Sequence, residues 1–256
     1  MTKRIMTIAA LAALVGIAAA APNVDPDSAF VWGENVGWLN AYAGGHGVVA
    51  SPHILSGYMW GENVGWLNLG DGTPDTPPHY SNTSADDCGV NHDGAGHLSG
   101  YAWGENIGWV VFDTSGAGGS QVAVTPEGVF SGFAWGENIG WINFGPTMGK
   151  DDPEWGLRLA DSDGDVIPDA FETNSGEFIS EYDTGTNPNN DDTDGDDLDD
   201  GDEVNQYLTD PNDDDTDDDG YDDLTEILAG TDPNDPEDNP GTTSIRSLHV
   251  PSFTER

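Results

Sequence analysis

Trp103-Gly-Glu-Asn-Ile-Gly-Trp109 decides how the N-terminal half folds, because the same seven-residue pattern stands at four places in it. The other copies run from Trp32 to Trp38, Trp60 to Trp66 and Trp135 to Trp141, with Val or Ile always fifth, and together the four use eight of the nine tryptophans. A Gly-Glu-Asn-(Val/Ile)-Gly segment between two large aromatics is turn chemistry, since Gly and Asn tolerate positive φ. The flanking tryptophans then face one another across a hairpin.

Working outward, the last three copies carry Ser-Gly four residues ahead of the first Trp, at Ser56-Gly57, Ser99-Gly100 and Ser131-Gly132. Ahead of these lie short apolar stretches beginning at Val48, Gly89 and Val122, set off by the turn residues Pro52-His53, Asp93 to Gly96 and Pro126 to Gly128. Each unit therefore reads as three short antiparallel strands, for example Gln121 to Thr125, Val129 to Trp135 and Gly140 to Phe144, giving about 9 to 12 strands. First tryptophans are 28, 43 and 32 residues apart, so insertions fall between units. A propeller-like ring, a sandwich and a linear array all fit this periodicity. The first copy lacks its leading strand, which suits either a cap or a closure in which another segment supplies it.

Two readings of the tryptophans stand side by side. In one, the pairs are core, each ring burying roughly 150–250 Å², and Glu34, Glu62, Glu105 and Glu137 satisfy turn amides. In the other, exposed Trp faces form a platform for sugars or other ring-bearing ligands. The four glutamates make poor glycosidase acids, because that chemistry needs two carboxylates in different environments and the repeat offers one environment four times. The motif resembles a Trp-Glu-Asn-Gly-Trp repeat of secreted bacterial proteins, which implies a setting and no activity.

The C-terminal half repeats something else. Three twelve-residue stretches, Asp161 to Glu172, Asp192 to Glu203 and Asp215 to Glu226, carry acids at positions 1, 3, 5, 9 and 12 and an apolar residue at position 7. A calcium loop takes side-chain oxygens from positions 1, 3 and 5, a carbonyl from 7 and a bidentate carboxylate from 12. The chain has 48 acidic and 6 basic residues, and 34 of the acids lie between Asp151 and Asp238 beside a single base, Arg158. Neighbouring carboxylates repel by roughly 1 kcal/mol even in water, so cations and folding should be linked here. An acidic disordered tail is the plain alternative, but such a tail has no need to keep Ile167, Leu198 and Tyr221 in one register. Short apolar patterns follow each loop, at Ala170-Phe171, at Val204, Tyr207 and Leu208, and at Leu224, Ile227 and Leu228, enough for one or two helical turns. Turns starting at Thr186, Thr209 and Thr231 with the pattern Thr-x-Pro-Asn end the units.

On these motifs residues 161–238 resemble bacterial thrombospondin type 3 repeats, which implies a calcium-filled, loop-built rod with little apolar core. The ligands the resemblance implies are the side chains of Asp161, Asp163, Asp165 and Asp169, of Asp192, Asp194, Asp196 and Asp200, and of Asp215, Asp217, Asp219 and Asp223. The carbonyls of Ile167, Leu198 and Tyr221 would join them, with Glu172, Glu203 and Glu226 bidentate. The glycine expected at position 6 is present only as Gly220; Asp197 tolerates a left-handed backbone, whereas β-branched Val166 resists it, so the first loop is the least regular. It is also followed by an insertion around Ser175 to Tyr182.

The ends of the chain place these halves. Lys3 and Arg4 precede an apolar run from Ile5 to Ala19 and the small residues Ala18 to Ala20, the pattern of an export signal cleaved before Ala21. Calcium is plentiful outside cells, where weak sites of about 10⁻⁴ to 10⁻³ M still fill. The expected organisation is a signal at 1–20, a four-fold β-repeat domain at 21–149, acidic calcium-binding repeats at 150–240 and a tail at 241–256. The expected fold class is an all-β repeat domain of short antiparallel strands, followed by a loop-rich calcium-binding stalk with short helical turns. Cys88 has no second cysteine with which to form an intramolecular disulfide. Cys88, His92 and His97 fall short of a zinc pattern. A net charge of −42 disfavours nucleic acid, and no apolar stretch after the signal is long enough to span a membrane. The expected function is that of a secreted, non-enzymatic calcium-binding structural or adhesion protein, with a surface or matrix protein or a glycan as partner; the alternative is a carbohydrate-binding protein that uses the tryptophans.

Overall fold

A computed structural model describes residues 21–43, 45–73, 80–84, 87–117, 120–145 and 156–241. The export signal and the tail beyond 241 lie outside the described residues. Thirteen strands form among the described residues: β1 Val24–Gly33, β2 Gly37–Asn40, β3 Val48–Ala50, β4 Ile54–Gly61, β5 Gly65–Gly70, β6 Val90–His92, β7 Leu98–Gly104, β8 Gly108–Val111, β9 Ala123–Val124, β10 Phe130–Ser131, β11 Phe133–Gly136, β12 Gly140–Asn143 and β13 Gly156–Leu159. Each Trp-Gly-Glu-Asn-x-Gly-Trp motif closes a hairpin, β1–β2, β4–β5, β7–β8 or β11–β12, and the hairpins pair side by side. Because β12 also pairs with β1, the eight strands close into an antiparallel barrel.

The barrel is four-fold regular in its register. Gly61 pairs with Leu39, Gly104 with Leu67, Gly136 with Val110, and Gly33 with Ile142 at the closure. Within a hairpin the two tryptophans are direct partners, as in Trp32 with Trp38. The turn is a three-residue loop in which Val36 N–H donates to Gly33 O at 3.3 Å and Gly37 takes φ +80°, the type I turn with a left-handed residue that suits such hairpins. The first glycine serves space and not φ: a Cβ at Gly33 would meet Val36 Cγ2 at 2.3 Å.

The tryptophans face outward, which overturns the reading that made them core. Six of the eight are 37–48 % exposed, whereas Val31, Leu39, Met59, Leu67, Ala102, Val110, Ala134 and Ile142 on the opposite strand face are fully buried. An eight-stranded barrel has an interior just wide enough for side chains to fill, and these aliphatic groups fill it. Val36, Val64, Ile107 and Ile139, the fifth residues of the motifs, plug the turn end of the barrel. Outside, each hairpin carries three rings: the Trp pair at 4.7 to 4.9 Å, and a Phe or Tyr at 6.0 to 6.4 Å from the second Trp.

The leading strands form as β3, β6 and β9, and the one missing from the first repeat is supplied from the far end. Leu157 of β13 pairs with Ala29 as Val48 of β3 pairs with Gly57. Both sit opposite the residue three before a first Trp, so the structure chooses closure over a cap. The strand Gly156–Leu159 thus belongs to the barrel's sheet.

Among the described residues beyond β13 the chain is built from loops and two short helical segments. No helix follows the first loop, where Phe171 N–H bonds Pro168 O in a turn. After the second, Asp200–Asp202 continues as a wider turn over Glu203–Tyr207, with Leu208 N–H bonding Glu203 O at 2.7 Å. After the third, α1 spans Asp223–Ala229, its N-terminus capped by the Asp222 carboxylate and its end marked by left-handed Gly230. Among the described residues no helix is long and apolar enough to cross a membrane.

Candidate metal centre

Three loops of unlike sequence adopt one backbone. The position-6 residues Val166, Asp197 and Gly220 all have positive φ, at +88°, +72° and +96°. Val166 accepts the conformation that its branched side chain disfavours, and it does so with that side chain exposed. The cause is visible at position 1: Asp161, Asp192 and Asp215 each accept the position-6 N–H on Oδ2, at 3.3, 3.1 and 2.7 Å. Position 5 repeats the device two residues on, with Asp165, Asp196 and Asp219 accepting the N–H of Ile167, Leu198 and Tyr221.

Position 9 has a framing part as well. Both oxygens of Asp169, Asp200 and Asp223 accept from the amide and hydroxyl of position 2, which is Ser162, Thr193 or Thr216. Position 12 is held by the Thr-x-Pro-Asn turns. Thr186 and Thr209 hydroxyls donate to one carboxylate oxygen of Glu172 and Glu203. Thr231 donates to the Glu226 backbone carbonyl. These threonines are buried; in the sequence they register only as turn residues.

What this framing leaves over is a set of inward oxygens. Glu172, Glu203 and Glu226 are 4 %, 0 % and 0 % exposed. Ten carboxylate oxygens on Asp163, Asp165, Glu172, Asp194, Glu203, Asp217, Asp219 and Glu226 are buried with no hydrogen-bond partner among the described residues. Every one belongs to position 3, 5 or 12. Buried carboxylates without partners are costly, and the cost shows in their proton affinity. Burial, then neighbouring aspartates, pushes Glu172 and Glu203 up to about 9 and Asp194 to about 7; burial foremost takes Asp165 to about 7.

Oxygens able to hold a metal ion gather within 4.8 Å of one another in Asp161, Asp163 and Asp165, in Asp192, Asp194 and Asp196, and in Asp215, Asp217 and Asp219. A fourth group joins Asp165 and Glu172 to Asp200 of the next loop, so the first two loops meet at their carboxylates. Glu203 and Glu226 lie outside these groups while turning unpartnered oxygens inward. Ile167 and Leu198 are buried and Tyr221 is half-buried.

The loops do not stand away from the barrel. Ile167, Ala170, Phe171 and Tyr182 belong to the same apolar core as the strands. The insertion after the first loop folds back on itself, Asn174 N–H bonding Thr186 O and Gly176 N–H bonding Gly185 O, and carries Tyr182 against the barrel. There His92 of β6 stacks on Phe171 and meets Tyr182 edge-on at 5.1 Å. The imidazole accepts Gly96 N–H on Nε2 and so donates from Nδ1 to Pro52 O at 2.7 Å. His97 Nδ1 meets Asp93 instead, so the histidines serve the frame.

One further pattern escaped the sequence reading. In the barrel, Asn35, Asn63, Asn106 and Asn138 each donate to the backbone carbonyl of the preceding motif's fifth residue, Ile139, Val36, Val64 and Ile107, at 2.9 to 3.1 Å. In the acidic array, Asn212 and Asn234 of the Thr-x-Pro-Asn turns reach back to Thr184 O and Tyr207 O. A constant Asn in each motif was the available signal. Compared with protein-family models, with curated proteins and with solved structures, the chain matches none.

Proposed function

We propose that the chain is an exported, non-enzymatic calcium-binding protein in which three acidic loops bind calcium and fix a rigid array onto the barrel. The ten buried, unpartnered carboxylate oxygens carry this reading. Dehydrated carboxylate oxygens supplied by the protein suit calcium, which takes oxygen ligands in flexible geometry, better than magnesium, which demands a near-ideal octahedron and keeps its waters. Asp161, Asp163, Asp165 and Glu172 would hold one ion, Asp192, Asp194, Asp196 and Glu203 a second, Asp215, Asp217, Asp219 and Glu226 a third. Bound calcium would supply the positive charge that lets these groups stay ionised while buried. The barrel then becomes the presented element, offered to a surface or matrix partner at a fixed orientation.

Calorimetric titration of the full chain with calcium in physiological salt, followed in parallel by circular dichroism, tests this. Saturable uptake of two or more ions with a gain of structure is the expected result. No specific uptake would refute it and return the acidic segment to a solvated tail.

A further inference from the structure

We propose that the third hairpin carries a binding site for a neutral sugar ring, in the cleft between Tyr101, Trp109 and the residues Asn82, Thr83, Ser84 and Cys88 that precede β6. The cleft is shallow and open to solvent, offers about 390 Å³ and is lined by Asn82, Thr83, Ser84, Cys88, Tyr101 and Trp109. That volume lies at the low end of small-ligand sites, about 300–1,000 Å³. Tyr101 and Trp109 are 40 % and 42 % exposed, their ring planes inclined by 75° with centroids 6.1 Å apart. They form an angled aromatic floor.

The facing wall is a built one. Asn82 takes φ +55°, accepts Gly89 N–H on its side-chain oxygen at 3.1 Å and donates its own backbone N–H to Asp87 O at 3.0 Å. The Asp87 carboxylate in turn accepts from the Ser81 amide and hydroxyl, and the Ser81 and Thr83 hydroxyls lie 2.8 Å apart. This holds Thr83 and Ser84, both exposed, in the lining of the same cleft as the rings.

The chemistry of the lining selects the ligand. A pyranose has one face of polarised C–H bonds, which packs on the negative face of an aromatic ring. Its rim of hydroxyls needs groups that both donate and accept, and Thr, Ser and Asn side chains do so. Among the described residues no charged side chain lines the cleft, and a net charge of −42 repels anions. A quaternary ammonium ion could use the ring faces but, having no N–H or O–H to donate, would make no hydrogen bond to the hydroxyl wall.

Among the described residues the other hairpins carry different groups beside their tryptophans. The first and fourth place Phe30 and Phe133 where the third has Tyr101, and in the second the edge of His46 meets Trp66 at 6.4 Å. Among the described residues the third repeat is thus set apart by Asn82, Thr83 and Ser84 lining a cleft with its rings. This inference goes beyond the calcium reading and stands apart from it, because a chain that takes up no calcium could still bind a sugar here.

The test uses the full chain with calcium, titrated with tetramers of β-linked glucose and of β-linked N-acetylglucosamine, by calorimetry and saturation-transfer NMR. Saturable binding of at least one tetramer is expected, with magnetisation reaching the ring C–H protons. Trp109→Ala should weaken it at least tenfold, and Trp38→Ala, the equivalent change in the first hairpin, by less than twofold. Ser84→Arg, on the exposed wall, should also cost at least tenfold, and it decides the matter if Trp109→Ala disturbs the barrel. Failure of both tetramers to bind, equal loss in the two Trp variants, or binding that survives Ser84→Arg would overturn the proposal. So would capture of tetramethylammonium or a proline-rich peptide without any sugar binding.

Discussion

The barrel and the acidic array are both made of repeats joined by the same stitch, an Asn side chain donating to a carbonyl of the preceding unit, yet they differ in what they enclose. Each barrel hairpin turns aliphatic groups inward, and burying them stabilises at about 25 cal/mol per Å². Each acidic loop turns carboxylates inward, and burying these costs free energy unless a cation meets them. The stitch therefore sets spacing, while the interior sets whether the structure holds by itself. Closure differs too: Asn35 reaching Ile139 completes a ring, whereas among the described residues the array has two ends.

The sharpest way to break this contrast is to remove calcium. Chelation should strip hydrogen-exchange protection from the amides of residues 187–241 while those of β4, β5, β7 and β8 keep theirs. Equal loss in both halves would mean that the barrel leans on the metal as well. Next in size, Ile142→Ala should cost the barrel about 2–5 kcal/mol, the usual penalty for emptying a buried aliphatic site. Urea melts should give the same loss with and without calcium.

Proton traffic separates the two interiors further. Without metal, Glu172 and Glu203 hold their protons up to about pH 9. Their folded affinity exceeds the unfolded one, so their contribution to the metal-free array is complete below about pH 4.3. It is lost as pH rises through about 9. Calcium requires the ionised form, so uptake at pH 7 should release protons. Titrations in buffers of different ionisation heat would show this as a buffer-dependent enthalpy, and a buffer-independent one would contradict it. Smallest is Asn138→Ala, which removes one stitch and should lower barrel stability by about 1 kcal/mol, with no change in calcium affinity.

Much of this architecture was legible in the chain. Hairpin positions followed from the turn residues, and the loop register from the spacing of Asp and Glu. The facing of the tryptophans was less plain, because their size argues for burial while the alternation argues for the outer face. The strand face that carries Trp38, Trp66 and Trp141 goes on to Asn40, Asn68 and Asn143, whereas the opposite face reads Leu39, Leu67 and Ile142 and then Ala41, Leu69 and Phe144. The polar continuation marks the outer face. Nor could the left-handed backbone at Val166 be read locally, since it is imposed by Asp161 five residues earlier. The bond from Thr186 to Glu172 joins residues 14 apart with the insertion between them, and it needed the fold to appear.

The pairing of β1 with β12 and β13 has a consequence in time. Neighbouring hairpins meet across short stretches of chain, so they form early; the seam joins residues 104 apart in the Asn35 to Ile139 bond. Contacts of such separation form slowly. During synthesis β1 must wait as an open edge until the last hairpin and Gly156–Leu159 have emerged, and only then does the ring lose its edges. The first acidic loop begins two residues after that closing strand, so completion of the barrel and the start of the array are events of the same moment in the life of the chain.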